Sequence, residues 1–281
     1  MAVIDLAAVN DQIQKYWAPV FTKRLRENLL LGGLVNKDYL GSISRGGDTV
    51  RVSQIVDVSG QLLTVGTDAD SFSPEAITTT YVDIKADKRA VASVEFQDLV
   101  ELQSQIDGTK VQDTLMFAMQ KQMNDYLYSL VAPSTSAPDH EIASVTDFNS
   151  SQLGACRVLA AQAKWSMEGG WYALLSPQYY QDLLNSTTMI SSDFVQDSPT
   201  VGGVIGSKRY GFNCFEDNSR TGDYGLLFHP DFLHMVQQTS VNVKISDLHA
   251  QKKFGFVLSV DTIFGAKLGN QAAVKHIRVQ G

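Results

Sequence analysis

Hydrophobic and polar residues alternate along residues 46–96 with the two-residue period of β-strands that bury one face. The alternation is clearest in residues 49–53 and 80–85, and residues 60–75 between them combine apolar side chains with an acidic stretch. This pattern predicts a long β-hairpin. Because a two-stranded ribbon on its own is only marginally stable in water, we expect the hairpin to lie on another surface, which we take to be a neighbouring subunit.

A helical period follows the hairpin and predicts a long amphipathic helix over residues 109–131. Thr109 and Gln112 have the spacing of a capping box at its start. Apolar residues spaced by three or four form one stripe along it: Val111, Leu115, Met119, Met123, Tyr126 and Leu130. We interpret this stripe as core packing rather than as a ligand site.

Pro133 and Pro138 end the helix and mark a boundary, after which a second region begins. Its pattern predicts a helix over 151–167 with Val158 facing inward, a buried strand over 171–175 and a helix that starts at Pro177. Residues 186–203 are expected to form an exposed, mobile loop. Strand-like segments resume at 210–215 and continue from residue 224 to the end. We expect these last strands to pack under the long helix, so that the first and last thirds of the chain build one α+β domain and the middle third another.

We expect the first 40 residues to form an N-terminal arm with helical pieces. Phe21, Leu25 and Leu29 recur at every fourth position after Pro19, which predicts an amphipathic helix that ends at Gly32 and Gly33.

Composition narrows the function without identifying it. The 281 residues carry a net charge of −7, and the basic residues are dispersed, so the chain lacks the basic face of a protein that grips DNA through its phosphates. The acidic balance is compatible with a wall that encloses nucleic acid without holding it tightly. Neither a signal peptide nor an apolar run of about 20 residues occurs, and we interpret Cys156 and Cys214 as reduced, buried thiols.

Motifs of catalysis are missing from the sequence. The five histidines lie in separate segments, without metal-ligand spacing to a cysteine or carboxylate. Residues 202–208 lack the Gly-Lys-Ser/Thr order of a phosphate loop, and there is no Gly-x-Ser-x-Gly elbow. The sequence therefore predicts a protein that is not an enzyme, with no catalytic residue, no cofactor and no metal site.

Four stretches in order resemble the major capsid protein of tailed bacteriophages, whose fold is named after the phage Hong Kong ninety-seven. Residues 35–39 with 46–52 resemble the lead-in to that family's extended loop. Residues 171–180 resemble the strand–proline–helix segment of its axial domain, 207–215 the strand that leads out of that domain, and 258–267 the closing strands of its peripheral domain. The likeness covers nearly the whole chain.

The resemblance implies an α+β fold with four parts. Residues 1–45 would be the N-terminal arm, 46–90 the extended β-hairpin loop, 91–132 with 223–281 the peripheral domain with its spine helix, and 133–222 an α/β axial domain. Such subunits form pentamers and hexamers that close into an icosahedral shell around double-stranded DNA. The implied setting is a virion assembled in the cytoplasm of a host bacterium, with a portal, possible decoration proteins, DNA enclosed without sequence-specific binding, and no membrane.

Two departures from that family refine the expectation. Some members crosslink a loop lysine to a neighbouring asparagine, but this chain has no lysine between Lys37 and Lys85, so we expect a non-covalent shell. Some members begin with a long scaffolding segment that is later removed, whereas here the arm begins near Met1, which implies a separate scaffolding protein.

We expect six residues to contact neighbouring subunits: Leu62, Leu63, Val65 and Phe72 of the hairpin, with Phe21 and Leu25 of the arm. One alternative is an encapsulin-type compartment, which shares the fold but carries an enzyme cargo. A second alternative, less favoured, is a soluble enzyme that uses residues 186–203 as a lid.

Overall fold

The computed structural model describes residues 26–39, 47–65, 72–97, 108–131, 140–142, 147–186, 205, 208–220, 222, 224–239, 241–270 and 273–279. The helices in these ranges are α1 (Leu31–Leu34), α2 (Gly108–Val131), α3 (Ser150–Gln162) and α4 (Pro177–Asn185), with short 3-10 turns at Pro230–Phe232 and His249–Gln251. The strands are β1 (Thr49–Ile55), β2 (Thr79–Lys85), β3 (Lys88–Phe96), β4 (His140–Ile142), β5 (Trp171–Leu175), β6 (Phe212–Glu216), β7 (Gly225–Phe228), β8 (Leu233–Gln237), β9 (Asn242–Asp247), β10 (Phe256–Leu268) and β11 (Val274–Val279).

The strands form three sheets. Strands β1 and β2 pair alone as an antiparallel ribbon. Strand β10 is the centre of the second sheet, because it pairs with β3 over residues 256–264, with β9 over 256–261 and with β8 over 264–268. The third sheet has five strands in the order β4-β11-β7-β5-β6.

Helix α2 covers one face of the second sheet. Leu115, Met119 and Leu127 are buried against residues of β3, β8 and β10, including Val260 and Phe264. The predicted helix over 109–131 is thereby confirmed, and its apolar stripe packs into the core. The spacing of the apolar residues in the sequence was sufficient to predict this helix, because a long helix with one apolar side can be stabilised only by burying that side.

Strand β5 separates two hydrophobic cores. Tyr172 and Leu174 pack with the core under α2, whereas Trp171, Ala173 and Leu175 point into a second core. This alternation means that the five-stranded sheet is apolar on both faces at β5. For this reason the sequence of β5 is a continuous run of apolar residues.

The second core is covered by α3 and α4 and departs from the prediction in detail. Helix α3 ends at Gln162 rather than 167, because Lys164 adopts a left-handed backbone conformation with φ of 58°. Asn149 caps its start, accepting hydrogen bonds from backbone N–H groups while Gln152 closes the capping box. Val158 was expected to face inward, but 55% of its surface is exposed. Residues 187–204, which cover nearly all of the predicted mobile loop, lie outside the described residues.

The strands after residue 224 divide between the two larger sheets. Strands β8 and β10 lie under α2 as expected, but β7 pairs with β5, and β11 pairs with β7 and β4. Leu226 and Phe228 of β7 and Val274 of β11 still contribute to the same core as α2, but the division of these strands between two sheets was not predicted. Alternating patterns alone do not specify which edges pair, since every strand offers the same backbone donors and acceptors. The division into four domains stays a prediction.

The chain around α1 also differs from the predicted helix. Residues 26–30 are not helical, and α1 contains Gly32 and Gly33 instead of ending before them. Leu31 is completely buried in the core under α2. Burial of this side chain outweighs the poor helix propensity of the two glycines.

A glycine fixes where the hairpin meets the sheet. At Gly265 of β10, a Cβ atom would overlap the carbonyl oxygen of Lys85, at the end of β2. Only glycine permits the two backbones to come this close. The direction in which the hairpin leaves the protein therefore depends on residue 265.

We predict that Gly265→Ala lowers the free energy of unfolding by about 1–3 kcal/mol, because the added methyl group must push the β2–β3 connection away from β10. Thermal unfolding followed by circular dichroism measures the change. Gly60→Ala is the matched control, since a Cβ there meets no described atom within 4 Å. Equal stability of the two variants would contradict the prediction.

Candidate intersubunit surfaces

The β1–β2 ribbon continues beyond its strands through side-chain hydrogen bonds. Gln61 Nε2 donates to the Ser73 carbonyl oxygen at 2.7 Å, and the Ser73 N–H donates to Gln61 Oε1 at 3.2 Å. The Ser59 N–H donates to a Glu75 carboxylate oxygen at 2.8 Å. Because one glutamine side chain bonds to both backbone groups of the opposite leg, the two legs remain together as far as the tip.

The predicted contact residues of the hairpin lie in the legs near this tip and are exposed. Leu62 and Val65 expose 102% and 92% of their surface, Phe72 exposes 76% and Leu63 exposes 38%. The Gln61–Ser73 pairing brings Leu62 and Phe72 beside each other on opposite legs. Further exposed apolar side chains follow the legs: Ile55, Val56, Val58 and Ile77. We call the whole set the ribbon surface.

Contact of the ribbon surface with another subunit stays a prediction. Phe21 and Leu25, the other two predicted contact residues, lie outside the described residues. Leu29, the next member of their stripe, is half-buried in the irregular segment before α1.

The base of the ribbon is anchored by charge and by a small core. Arg51 donates two hydrogen bonds to Asp83 on the facing strand, at 2.7 and 2.9 Å, and its guanidinium lies 4.1 Å from the centre of the Tyr81 ring. The hydrogen bond from Arg51 lowers the pKa of the Asp83 carboxyl, which keeps it ionised. Val52 and Ile84 pack with Val236 of β8. The ribbon thus touches the rest of the subunit mainly at its base.

A second apolar surface lies at the outer edge of β9 and was missed by the sequence analysis. Val243, Ile245 and Phe254 are 50%, 70% and 75% exposed. Strand β9 pairs with β10 only, among the described strands, so its other edge keeps backbone donors and acceptors unpaired there. We call these three residues the β9 surface.

The β9 surface shows why a two-residue period cannot separate a core from an interface. Ile245 lies opposite Leu258 on β10, and Val243 lies opposite Val260. Both β10 residues are buried, whereas their β9 neighbours are exposed. The apolar face of the sheet extends from β10 to β9, but it is buried only at β10 and exposed at β9.

A buried polar junction joins α2 to the five-stranded sheet. The Tyr128 hydroxyl donates a hydrogen bond to Asp217, directly after β6, and Ser219 donates two more to the same carboxylate. The Arg220 guanidinium lies 4.0 Å from the centre of the Tyr128 ring and forms an ion pair with Asp125. Burial and the Asp217 charge raise the pKa of Tyr128, so the phenol stays protonated and donates. The junction therefore holds the two cores in one relative orientation.

We predict that Tyr128→Phe destabilises the protein by about 1–3 kcal/mol, since it leaves the buried Asp217 carboxylate with fewer donors. Tyr224→Phe is the matched control. Its hydroxyl is also buried but has no hydrogen-bond partner among the described residues, so its removal should be neutral or slightly stabilising. Chemical denaturation of both variants measures the difference, and a larger loss for Tyr224→Phe would contradict the assignment.

Chemistry-bearing side chains are few in the described part of the chain. Burial raises the pKa of both Cys156 and Cys214 to about 12, which makes them poor nucleophiles. Burial lowers the pKa of His234, so that this imidazole is neutral at pH 7. Within the described ranges we find no group of three or more metal-binding side chains. None of the described helices has the length and apolar character needed to cross a membrane.

Comparison with known proteins gives matches in structure only. No protein-family model matches the sequence, and no curated protein does. A solved structure from Mycobacterium phage Che8 is 17% identical, with a TM-score of 0.76, and the match covers 94% of this chain and 96% of the other. The capsid structure of the cyanophage P-SCSP1u is 16% identical, with a TM-score of 0.75 and coverage of 97% and 94%. The mature capsid of bacteriophage PhiM1 is 11% identical, with a TM-score of 0.70 and coverage of 96% and 92%.

These matches span nearly the full length of each chain. At such low identity they establish the fold. The predicted α+β capsid fold is confirmed: the chain has the fold of phage capsid structures.

Proposed function

We propose that this chain is the major structural subunit of a bacteriophage capsid. Copies of it would assemble as pentamers and hexamers into an icosahedral shell that encloses double-stranded DNA. Its fold supports the proposal, and the observation that carries it is the ribbon surface, which exposes large apolar side chains far from either core. Exposed apolar patches of this kind are typical of protein–protein contact sites.

Burial of the ribbon surface would supply the energy of assembly. Leu62, Val65 and Phe72 are almost fully exposed in the single chain. Burying a side chain of this size contributes about 1.5–3 kcal/mol, so the three together contribute roughly 5–9 kcal/mol to each contact. A closed shell repeats the contact many times, which makes it hard to dissociate. The β9 surface offers a second contact of the same kind.

The proposal includes partners beyond the chain itself. We expect a separate scaffolding protein and a portal, with decoration proteins as optional partners, and a shell that is assembled in the host cytoplasm and found in the virion. The net charge of −7 suits a wall that releases its DNA.

We predict that Leu62→Ser, Val65→Ser and Phe72→Ser together prevent closed shells while leaving the subunit soluble and folded, because these side chains contribute nothing to the described cores. Electron microscopy and gradient sedimentation measure assembly, and circular dichroism measures folding. The matched control is Leu62→Ile, Val65→Ile and Phe72→Leu, which keeps the tip apolar and should assemble. Normal shells from the serine variant would refute the role of the tip.

We also predict a non-covalent shell. The ribbon has no lysine between Lys37 and Lys85, so its tip cannot supply an amine for a crosslink. Boiling assembled particles in denaturing detergent should give only the single-chain band on a gel. A ladder of covalent multimers would contradict this prediction.

The two alternatives differ from the proposal in measurable ways. An encapsulin-type compartment would form shells that retain an enzyme cargo and package no genome. A soluble enzyme would remain a monomer or small oligomer under light scattering and would show a ligand-dependent melting shift. Nucleic-acid content of particles purified from infected cells separates the first alternative, and particle size separates the second.

A further inference from the structure

Strand β3 forms an open edge of the second sheet. It pairs with β10 only, among the described strands, so the backbone donors and acceptors on its other side have no partner strand within the described ranges. The pairing with β10 runs without interruption from residue 88 to residue 96, which leaves an edge nine residues long. Val91 and Val94 on this edge are 50% and 37% exposed.

The middle of β3 lacks the features that usually prevent an edge strand from pairing. Proline, a β-bulge or an inward-pointing charge blocks such pairing in many proteins. Residues 90–94 are alanine, valine or serine, and their uninterrupted register with β10 leaves no bulge. Ala92 lies opposite Val260 and Val94 lies opposite Leu258, so the even-numbered residues share the apolar side that faces α2. A long, regular edge of this kind is a template for another strand.

The charges of β3 indicate which strand it accepts. Arg89 lies three positions before Ala92, and Glu95 lies three positions after it. Both charged residues lie on the side of the sheet that faces away from α2, because successive side chains alternate along a strand. If a second copy of β3 runs antiparallel with Ala92 opposite Ala92, Arg89 of each copy lies opposite Glu95 of the other. Directly opposite residues of an antiparallel pair are close neighbours, and opposite charges at such positions are favourable.

Neighbouring registers of the same pairing are less favourable. The two copies keep their apolar sides together only when one strand slides past the other in steps of two residues. A step in one direction places Glu95 opposite Asp87, which brings like charges together. A step in the other direction places Glu95 opposite Val91, which leaves the charge without an opposite partner. The register centred on Ala92 is therefore the one that the charges select.

The other open edge of the sheet, strand β9, is a poorer partner for β3. Both strands run antiparallel to β10, so within one subunit they point in the same direction. Asp247 of β9 and Phe96 of β3 both lie opposite Phe256, which puts Asp247 close to the level of Glu95 along the sheet. A copy displaced sideways would therefore bring the two carboxylates together. Strand β3 is complementary to itself instead.

Arg89 and Glu95 retain the capacity for a second contact. Arg89 donates to Asp261 from Nε and Nη2, and its guanidinium has further donors on Nη1. Glu95 accepts from Lys253 through Oε1 at 3.2 Å, and a carboxylate binds donors with both of its oxygens. The Arg89 and Glu95 side chains are 55% and 44% exposed. The bond to Asp261 also holds the guanidinium in place, which lowers the entropy cost of a further contact.

We propose that β3 pairs antiparallel with β3 of a second copy of this chain, through a two-fold axis at Ala92. The second sheets of the two subunits then form one continuous sheet, and Arg89 and Glu95 form two equivalent ion pairs across it. A two-fold contact uses the same surface of both subunits, whereas neighbours around a five-fold or six-fold ring meet through two different surfaces. The contact therefore joins subunits of different pentamers or hexamers, a placement that rests on the proposed function.

A cysteine on the axis tests this pairing in the full-length chain. Ala92→Cys places two thiols directly opposite each other, and mild oxidation of assembled particles and of the concentrated subunit should give a covalent dimer on a non-reducing gel. The native Cys156 and Cys214 are buried and do not interfere. Val94→Cys is the matched control on the same side of the same edge. In this register its two copies lie about 14 Å apart along the strands, too far for a disulfide, so we expect about fivefold less dimer or lower.

A charge reversal tests the ion pairs independently. Glu95→Lys in the Ala92→Cys chain places a lysine opposite Arg89 of the partner subunit, at both ends of the contact. The yield of dimer should fall by about fivefold at low salt, because two favourable pairs become unfavourable, and it should recover as salt screens the charges. Asp57→Lys makes the same change of charge in the ribbon and should leave the yield unchanged. An equal loss from both variants would overturn the pairing of Arg89 with Glu95.

Electron microscopy of the same samples separates this inference from the proposed function. Closed shells that give no disulfide from position 92, or equal yields from positions 92 and 94, would overturn the two-fold contact and leave the capsid role standing. A dimer from position 92 in samples that never form closed shells would support the strand pairing and contradict the capsid role. Closed shells with the disulfide at position 92 alone would support both.

Discussion

Burial of one side of α2 against β10 is the contact on which the rest of the structure depends. Strand β10 pairs with β3, β8 and β9, so covering it with a helix holds a whole sheet in place. The same strand accepts the base of the ribbon at Gly265, and the same helix carries Tyr128 to the junction with Asp217. The sheet, the ribbon and the second core therefore take their positions from a single helix–strand contact. Each large side chain buried there contributes about 1.5–3 kcal/mol.

The ribbon stands in contrast to this well-covered centre. Its own core is a small cluster around Val52, Ile84 and Val236, whereas the described apolar side chains between residues 55 and 79 are exposed. A chain that places leucine, valine and phenylalanine where its own fold cannot bury them gains nothing from them as a monomer. Their value lies in contacts with other molecules. The physical division is between a centre that stabilises one subunit and extensions that can stabilise many.

Much of the fold could be predicted from the sequence, for reasons visible in particular residues. The apolar residues from Val111 to Leu130 predict a helix unambiguously, because only a helix places those side chains on one side. The strand at 171–175 and the helix that begins at Pro177 were found for similar local reasons. The end of α3 could not be predicted in this way, because the left-handed turn at Lys164 accompanies the packing of Trp165 into the second core. The β9 surface was missed because Val243 and Ile245 have the same alternation as residues that are buried.

The sequence by itself determined the long helix with its apolar side, most of the strands and their order, since these follow from the period of side chains along a helix or a strand. It also determined that residues 60–75 combine apolar side chains with an acidic stretch and contain no lysine. Only the tertiary structure decided that β7 and β11 join β5 rather than β10, that Asn124 is buried without a described partner, and that Tyr128 meets Asp217. Those facts depend on which surfaces come together from distant parts of the chain; Tyr128 and Asp217, for example, are 89 positions apart. Local periodicity carries no information about such distant pairings.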